Sequence, residues 1–251
     1  MLGAPGMDQF QSLDFTCDDD GVAVLRIHTR GGPALWSFRD GLHLELGEAF
    51  ALIARNPDIR VLILTGTGDS FCAGFDMAGG PPPPMTPAAW SETVKQGRAL
   101  IMNLLALEVP VIGAVNGPAF IHAELPLLSD IVLADERAAF RDMPHFPSGV
   151  VPGDGVQILW PMLLGPNRGR YFLLTGETID AVQALRLGVV AEILPPGRLM
   201  ERARELAATI AARPKAVVRN TRLALTRHLK ARFEAELEQG LLLEGLAILD
   251  R

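Results

Sequence analysis

Cysteine is scarce in this sequence: Cys17 and Cys72 are the only two among 251 residues. Two thiols cannot build the multi-bridge framework that stabilises small secreted domains, and such a composition suits a reducing compartment. A cytoplasmic location is therefore expected. A surplus of positive charge is missing too: 23 Lys and Arg stand against 29 Asp and Glu, for a formal net charge of −6. Binding a polyanion needs locally clustered cations, so no nucleic-acid partner is expected. No apolar run reaches the roughly 20 residues that span a bilayer. The opening MLGAPGMDQFQSLDF has no basic start followed by an apolar run, so neither a leader nor a membrane partner is expected.

Several chemical signatures are also lacking. GTGDSF (66–71) has no third glycine for a dinucleotide fingerprint, and neither GxxxxGK[ST] nor G-x-S-x-G occurs. His122-Ala123-Glu124 resembles half of a zinc-deaminase motif, but the P-C-x-x-C partner is absent. The five histidines, at 28, 43, 122, 145 and 228, show no short ligand spacing. The sequence thus points to no metal and no cofactor.

What is present is a chain with 49% hydrophobic residues, long enough to bury a substantial core. GVAVLRIHT (21–29), RVLILTG (60–66), PVIGAVNG (110–117), DIVLAD (130–135) and VVAEIL (189–194) read as strands. Helical spacing is read over 40–57, 87–107, 157–164, 168–174, 180–187, 196–212, 214–230 and 233–250. The proline-rich GGPPPPM (79–85) is a stiff loop. Alternating strands and helices give an α/β core over 1–195, followed by a helical segment over 196–251.

The stretch RDMPHFPSGVVPGDGVQ (141–157) holds His145 between prolines and Asp154 inside a Pro-Gly-Asp-Gly turn. Its neighbours in chain order are FCAGFD (71–76), VNGPA (115–119), the DIVLA strand and LLTGETIDAVQALRLGVVAEILP (173–195). Together these resemble the enoyl-CoA hydratase/isomerase (crotonase) superfamily over residues 20–250. That resemblance implies a ββα spiral core with C-terminal helices, and trimers or dimers of trimers.

By position, the first of the family's two hydratase glutamates falls at Glu124, and His145 stands at the second. The glycine run before the first glutamate is shortened to Ile121-His122-Ala123. These departures, with DxPHFPSGVVPGDG and NRGRYFLLTG, resemble the 6-oxocamphor hydrolase-like branch of β-diketone hydrolases. The resemblance implies retro-Claisen cleavage of a cyclic, bicyclic 1,3-diketone. His145 and Asp154 then form the catalytic pair, His122 and Trp36 contact the substrate carbonyl, and Glu244 and His43 are further polar positions. Phe75, after Ala73-Gly74, supplies a backbone oxyanion donor in acyl-CoA members.

Such a reaction needs activated water and donors for an alkoxide and an enolate. A neutral imidazole with a pKa near the working pH, oriented by a carboxylate, suits the first task. Plainer readings stand beside these. His145 can be a packed loop residue, Asp154 a turn residue or helix cap, Trp36 and His43 core packing, Glu124 a cap and Glu244 a solvated helix position. An acyl-CoA hydratase, isomerase or thioesterase is the alternative enzyme; a non-catalytic scaffold is the third reading.

Overall fold

A computed structural model describes residues 6–37, 41–78, 80, 84–195 and 197–250. Pro81 to Pro83 of the predicted stiff loop fall outside these residues. The frame is a six-stranded sheet with the order β1-β2-β3-β4-β5-β8. Its strands are β1 (Leu13–Cys17), β2 (Val22–Ile27), β3 (Val61–Thr65), β4 (Val111–Val115), β5 (Ile131–Asp135) and β8 (Glu192–Leu194). The β1–β2 pair is antiparallel and the rest are parallel. β3 and β4 are buried at every position, as their unbroken apolar runs require when both faces are covered.

The alternation of side chains across the strands feeds two separate layers. Leu25, Leu62, Leu64, Val111 and Val115 join the main core, where α1 (Leu42–Arg55) packs on α2 (Pro87–Ala106). Val24, Val61, Ile63 and Ile112 point the other way and meet Leu199, Ala203 and Ala207 of α7 (Leu199–Ala211). The alanines recur one helical turn apart, so α7 lies close against the sheet. The helix just beyond the boundary drawn at 195/196 therefore completes the sheet's second core.

The remaining elements are α3 (Glu124–Leu127), β6 (Ala139–Phe140), α4 (Val156–Leu164), α5 (Pro166–Thr175), β7 (Ile179–Asp180), α6 (Ala181–Arg186) and α8 (Lys215–Leu249). β6 and β7 form a small antiparallel pair. The two helices expected over 214–230 and 233–250 are one helix of 35 residues. Nothing around 230–233 stops it: there is no Pro or Gly, and Phe233 is fully buried in the core. Among the described residues, no helix is long and apolar enough to cross a membrane.

Candidate active site

The segments after the parallel strands carry Trp36, His122, Glu124, His145 and Asp154, as expected where ligands meet the carboxyl ends of a parallel sheet, while His43 stands on α1 and Glu244 on α8. Two of these loops are tied together by backbone hydrogen bonds. Phe120 and Ile121 donate to the Cys72 carbonyl, and Phe71 and Cys72 donate to the Pro118 carbonyl. Gly117 has φ +150°, and a Cβ there would overlap the Asp69 carbonyl, so only glycine permits this approach. Trp36 joins the same seam: its N–H donates to Gly74 and its carbonyl accepts from Asp76, each at 2.8 Å. The result is a short bridge that places Trp36 beside Phe75.

His122 sits in the left-handed region with φ +49°. In the shortened Ile121-His122-Ala123 segment, a side chain thus occupies backbone geometry that usually favours glycine. Its ring lies 3.7 Å from the Trp36 ring, centroid to centroid, and 5.8 Å from His43; Trp36 and His43 meet edge-on at 5.6 Å. His122 Nδ1 is 2.5 Å from Glu124 Oε1 and 3.5 Å from Asp154 Oδ2. Glu124 is fully buried, and its other oxygen has no partner.

His145, almost wholly buried, faces the same aspartate from the other side, with Nε2 3.5 Å from Asp154 Oδ2 and 3.7 Å from Glu244 Oε1. The hydrogen bond expected between His145 and Asp154 is replaced by this longer ion-pair contact. The hydrogen bond goes instead from Nδ1 to Asp142 Oδ1 at 2.6 Å. Sequence reasoning missed Asp142, although it stands three residues before His145 in R-D-M-P-H. Asp154 also does what its turn suggested, because its Oδ1 accepts from Val156 N–H at 3.4 Å at the start of α4.

Glu244 arrives from α8 through close backbone contact. Gly153, beside Asp154, packs on Gly240; a Cβ on either would overlap the other's carbonyl. Gly245 packs on Trp90, whose indole N–H donates to the Leu241 carbonyl at 3.0 Å. This seam directs Glu244 inward, not onto a solvated helix face.

The electrostatics follow from this crowding. Burial alone would lower the His145 pKa, but Asp154, the bonded Asp142 and Glu244 push it up to about 10. The surrounding carboxylates therefore favour the protonated ring, where a pKa near the working pH was expected. Burial, and then the Asp154 charge, push Glu244 up to about 8 against the pull of His145. Burial also raises Glu124 and Asp142. His122 is raised because Glu124 and Asp154 outweigh its desolvation. His43 goes the other way, to about 4, through burial and then the neighbouring His122, so it stays neutral. Donor atoms of His122, Glu124 and Asp154 lie within 4.8 Å of one another, close enough to ligate a cation.

The family pattern of the enoyl-CoA hydratase/isomerases matches residues 18–245. The chain belongs to this family. A carnitinyl-CoA dehydratase of Proteus mirabilis (strain HI4320) is 35% identical over 199 residues, covering 78% of this chain and 73% of the relative. A solved beta-diketone hydrolase from the cyanobacterium Anabaena sp. PCC 7120, bound to (S)-3-oxocyclohexyl acetic acid, is 44% identical. That match covers 99% of both chains with a TM-score of 0.94. An enoyl-CoA hydratase/isomerase from Mycobacterium paratuberculosis superposes with a TM-score of 0.86 at 26% identity, over 96% of this chain and 95% of its own.

Proposed function

We propose that this protein is a β-diketone hydrolase that opens a cyclic, bicyclic 1,3-diketone by a retro-Claisen reaction, with no cofactor. The observation that carries the reading is the convergence of His145 and His122 on one oxygen of Asp154. A hydratase of this family needs a second carboxylate where His145 stands. The likeness to the Anabaena beta-diketone hydrolase supports the same reading.

In this proposal water attacks one ring carbonyl carbon, and its proton passes to the His145–Asp154 pair, with Glu244 beside them. Glu244, once it has lost its own proton, is the neighbour that takes the proton on from the pair. The new alkoxide collapses, and the bond to the carbon between the carbonyls breaks. The products are a carboxylic acid and the enolate of the second ketone, which takes a proton from the cluster at carbon. One C–O bond forms, one C–C bond breaks, and no electrons leave the system. His122 and Trp36 stabilise the charged oxygen, the Phe75 turn lies beside them, and Glu124 holds His122. His43, neutral and edge-on to Trp36, shapes the pocket wall.

The test is incubation with a panel of bicyclic 1,3-diketones, followed by mass spectrometry for addition of water with ring opening. Turnover is expected to rise with pH through about 8, as Glu244 loses its proton, and to fall near 10 with His145. Glu244→Gln removes the lower limb. No turnover of any diketone alongside clear turnover of an enoyl-CoA would sink the proposal. It would favour the acyl-CoA reading, which the intact FCAGFD turn and the carnitinyl-CoA dehydratase relative support.

We also propose assembly into homotrimers or dimers of trimers. Leu225, Leu242, Leu243 and Leu246 are exposed on α8, an apolar face of the kind that marks contact surfaces. Light scattering is expected to give the mass of three or six 27.0 kDa chains; the mass of a single chain overturns this.

A further inference from the structure

We infer that Asp142, and not Asp154, fixes the ring plane of His145 and the nitrogen that keeps its proton, as a positioning residue for the reaction proposed above, on which its kinetic consequence rests. The distances separate the two carboxylates. Asp142 Oδ1 lies 2.6 Å from Nδ1, whereas Asp154 Oδ2 lies 3.5 Å from Nε2. Charge-assisted N–H···O bonds cluster at about 2.7–2.9 Å, so only the first is a hydrogen bond able to hold a proton on a chosen nitrogen.

The loop does not need the Asp142 side chain for its shape. Arg141 N–H donates to Ala119, Met143 N–H to Phe120, and the Ser148 and Val150 N–H groups both donate to the His145 carbonyl. Ser148 Oγ adds a bond to the Met143 carbonyl at 2.9 Å. Against that background a buried carboxylate is a cost, and Asp142 Oδ2 is left without any partner. What Asp142 contributes is its bond to His145.

With Nδ1 committed to Asp142, Nε2 is the nitrogen that exchanges protons, and it faces Asp154 Oδ2 and Glu244 Oε1. Asp154 is thereby released from the orienting role. It lies between the two imidazoles, 3.5 Å from each ring's nearest nitrogen, where it can accept or return a proton on either side. Each histidine has its own short carboxylate contact, Glu124 for His122 and Asp142 for His145, and the two share Asp154.

The assignment is tested on the free protein labelled with ¹⁵N-histidine, with His145 signals identified by their loss in His145→Gln. The expected spectrum shows a downfield proton on Nδ1 of His145 that persists in Asp154→Asn and is lost in Asp142→Asn. A proton that survives in Asp142→Asn and disappears in Asp154→Asn overturns the inference. Should Asp142→Asn fail to fold, the wild-type and Asp154→Asn spectra decide it alone. In turnover, Asp142→Asn is expected to lower kcat by about a hundred-fold or more, as for a misoriented acid–base group, while KM changes little. A kcat within about three-fold of wild type means that orientation is set elsewhere. The expected spectra from a protein that hydrolyses no diketone would overturn the reaction class and leave the role of Asp142 standing.

Discussion

His145→Ala is expected to lower kcat toward a bicyclic 1,3-diketone by about a thousand-fold or more, as for loss of a positioned acid–base group. The size follows from what the ring touches. Nδ1 is bonded to Asp142, and Nε2 faces Asp154 and Glu244. Without the ring, three buried carboxylates lose their common cation, and none of them can carry a proton on a positive group to the enolate carbon. The loop itself survives, since its turns rest on main-chain hydrogen bonds. Circular dichroism should therefore show a folded protein near pH 6. The melting temperature should fall as pH rises, because the carboxylates must then ionise without their counter-charge. A variant that keeps more than about a tenth of wild-type kcat would place the acid–base group elsewhere.

The second large effect concerns stability and involves no group near the chemistry. The Arg222 side chain is nearly inaccessible on α8. Its Nε donates to Asp130 Oδ2 at 2.8 Å, and Nη1 donates to the Leu107 carbonyl. The same Asp130 oxygen accepts from Val111 N–H at 2.7 Å, so one guanidinium ties α8 to the starts of β4 and β5. Arg222→Ala leaves Asp130 without its partner and a buried carbonyl without a donor. Breaking one side of such a pair typically costs about 3 kcal/mol or more, which for a chain of this size is a drop of roughly 10 °C in Tm. Because these strand starts lie opposite the site, kcat well below the transition should be unchanged. A Tm within about 2 °C of wild type would show that the pair contributes nothing net.

The parts of the fold legible in the sequence were those fixed by local patterns. RVLILTG and PVIGAVNG were legible as strands because each is a short apolar run with β-branched residues that ends in glycine. The end of α1 at Arg55 was legible in Pro57, which has no donor with which to continue a helix. The break expected in α8 did not form, because no residue there interrupts the backbone bonds and Phe233 enters the core. The site residues divide the same way. His122, His145, Glu124, Glu244 and Trp36 could be named from motif and order. Their separations could not, since Trp36, the His122–Glu124 segment, His145 and Glu244 of the distant α8 are far apart in the chain.

By itself, the sequence determined the alternating strands and helices from β2 to β5, the family, and the presence of two histidines and several carboxylates near the ends of those strands; the edge strand β1, the β6–β7 pair and the single α8 were not in it. Only the tertiary structure decided which acid serves which base. Hydrogen-bond partners depend on differences of about an ångström, and here these are set by contacts such as Gly153 against Gly240 and the turn that folds Asp142 onto His145. The charge states were decided there as well. An imidazole in isolation titrates near 6.5, and three carboxylates closing on His145 in a buried site push it up to about 10.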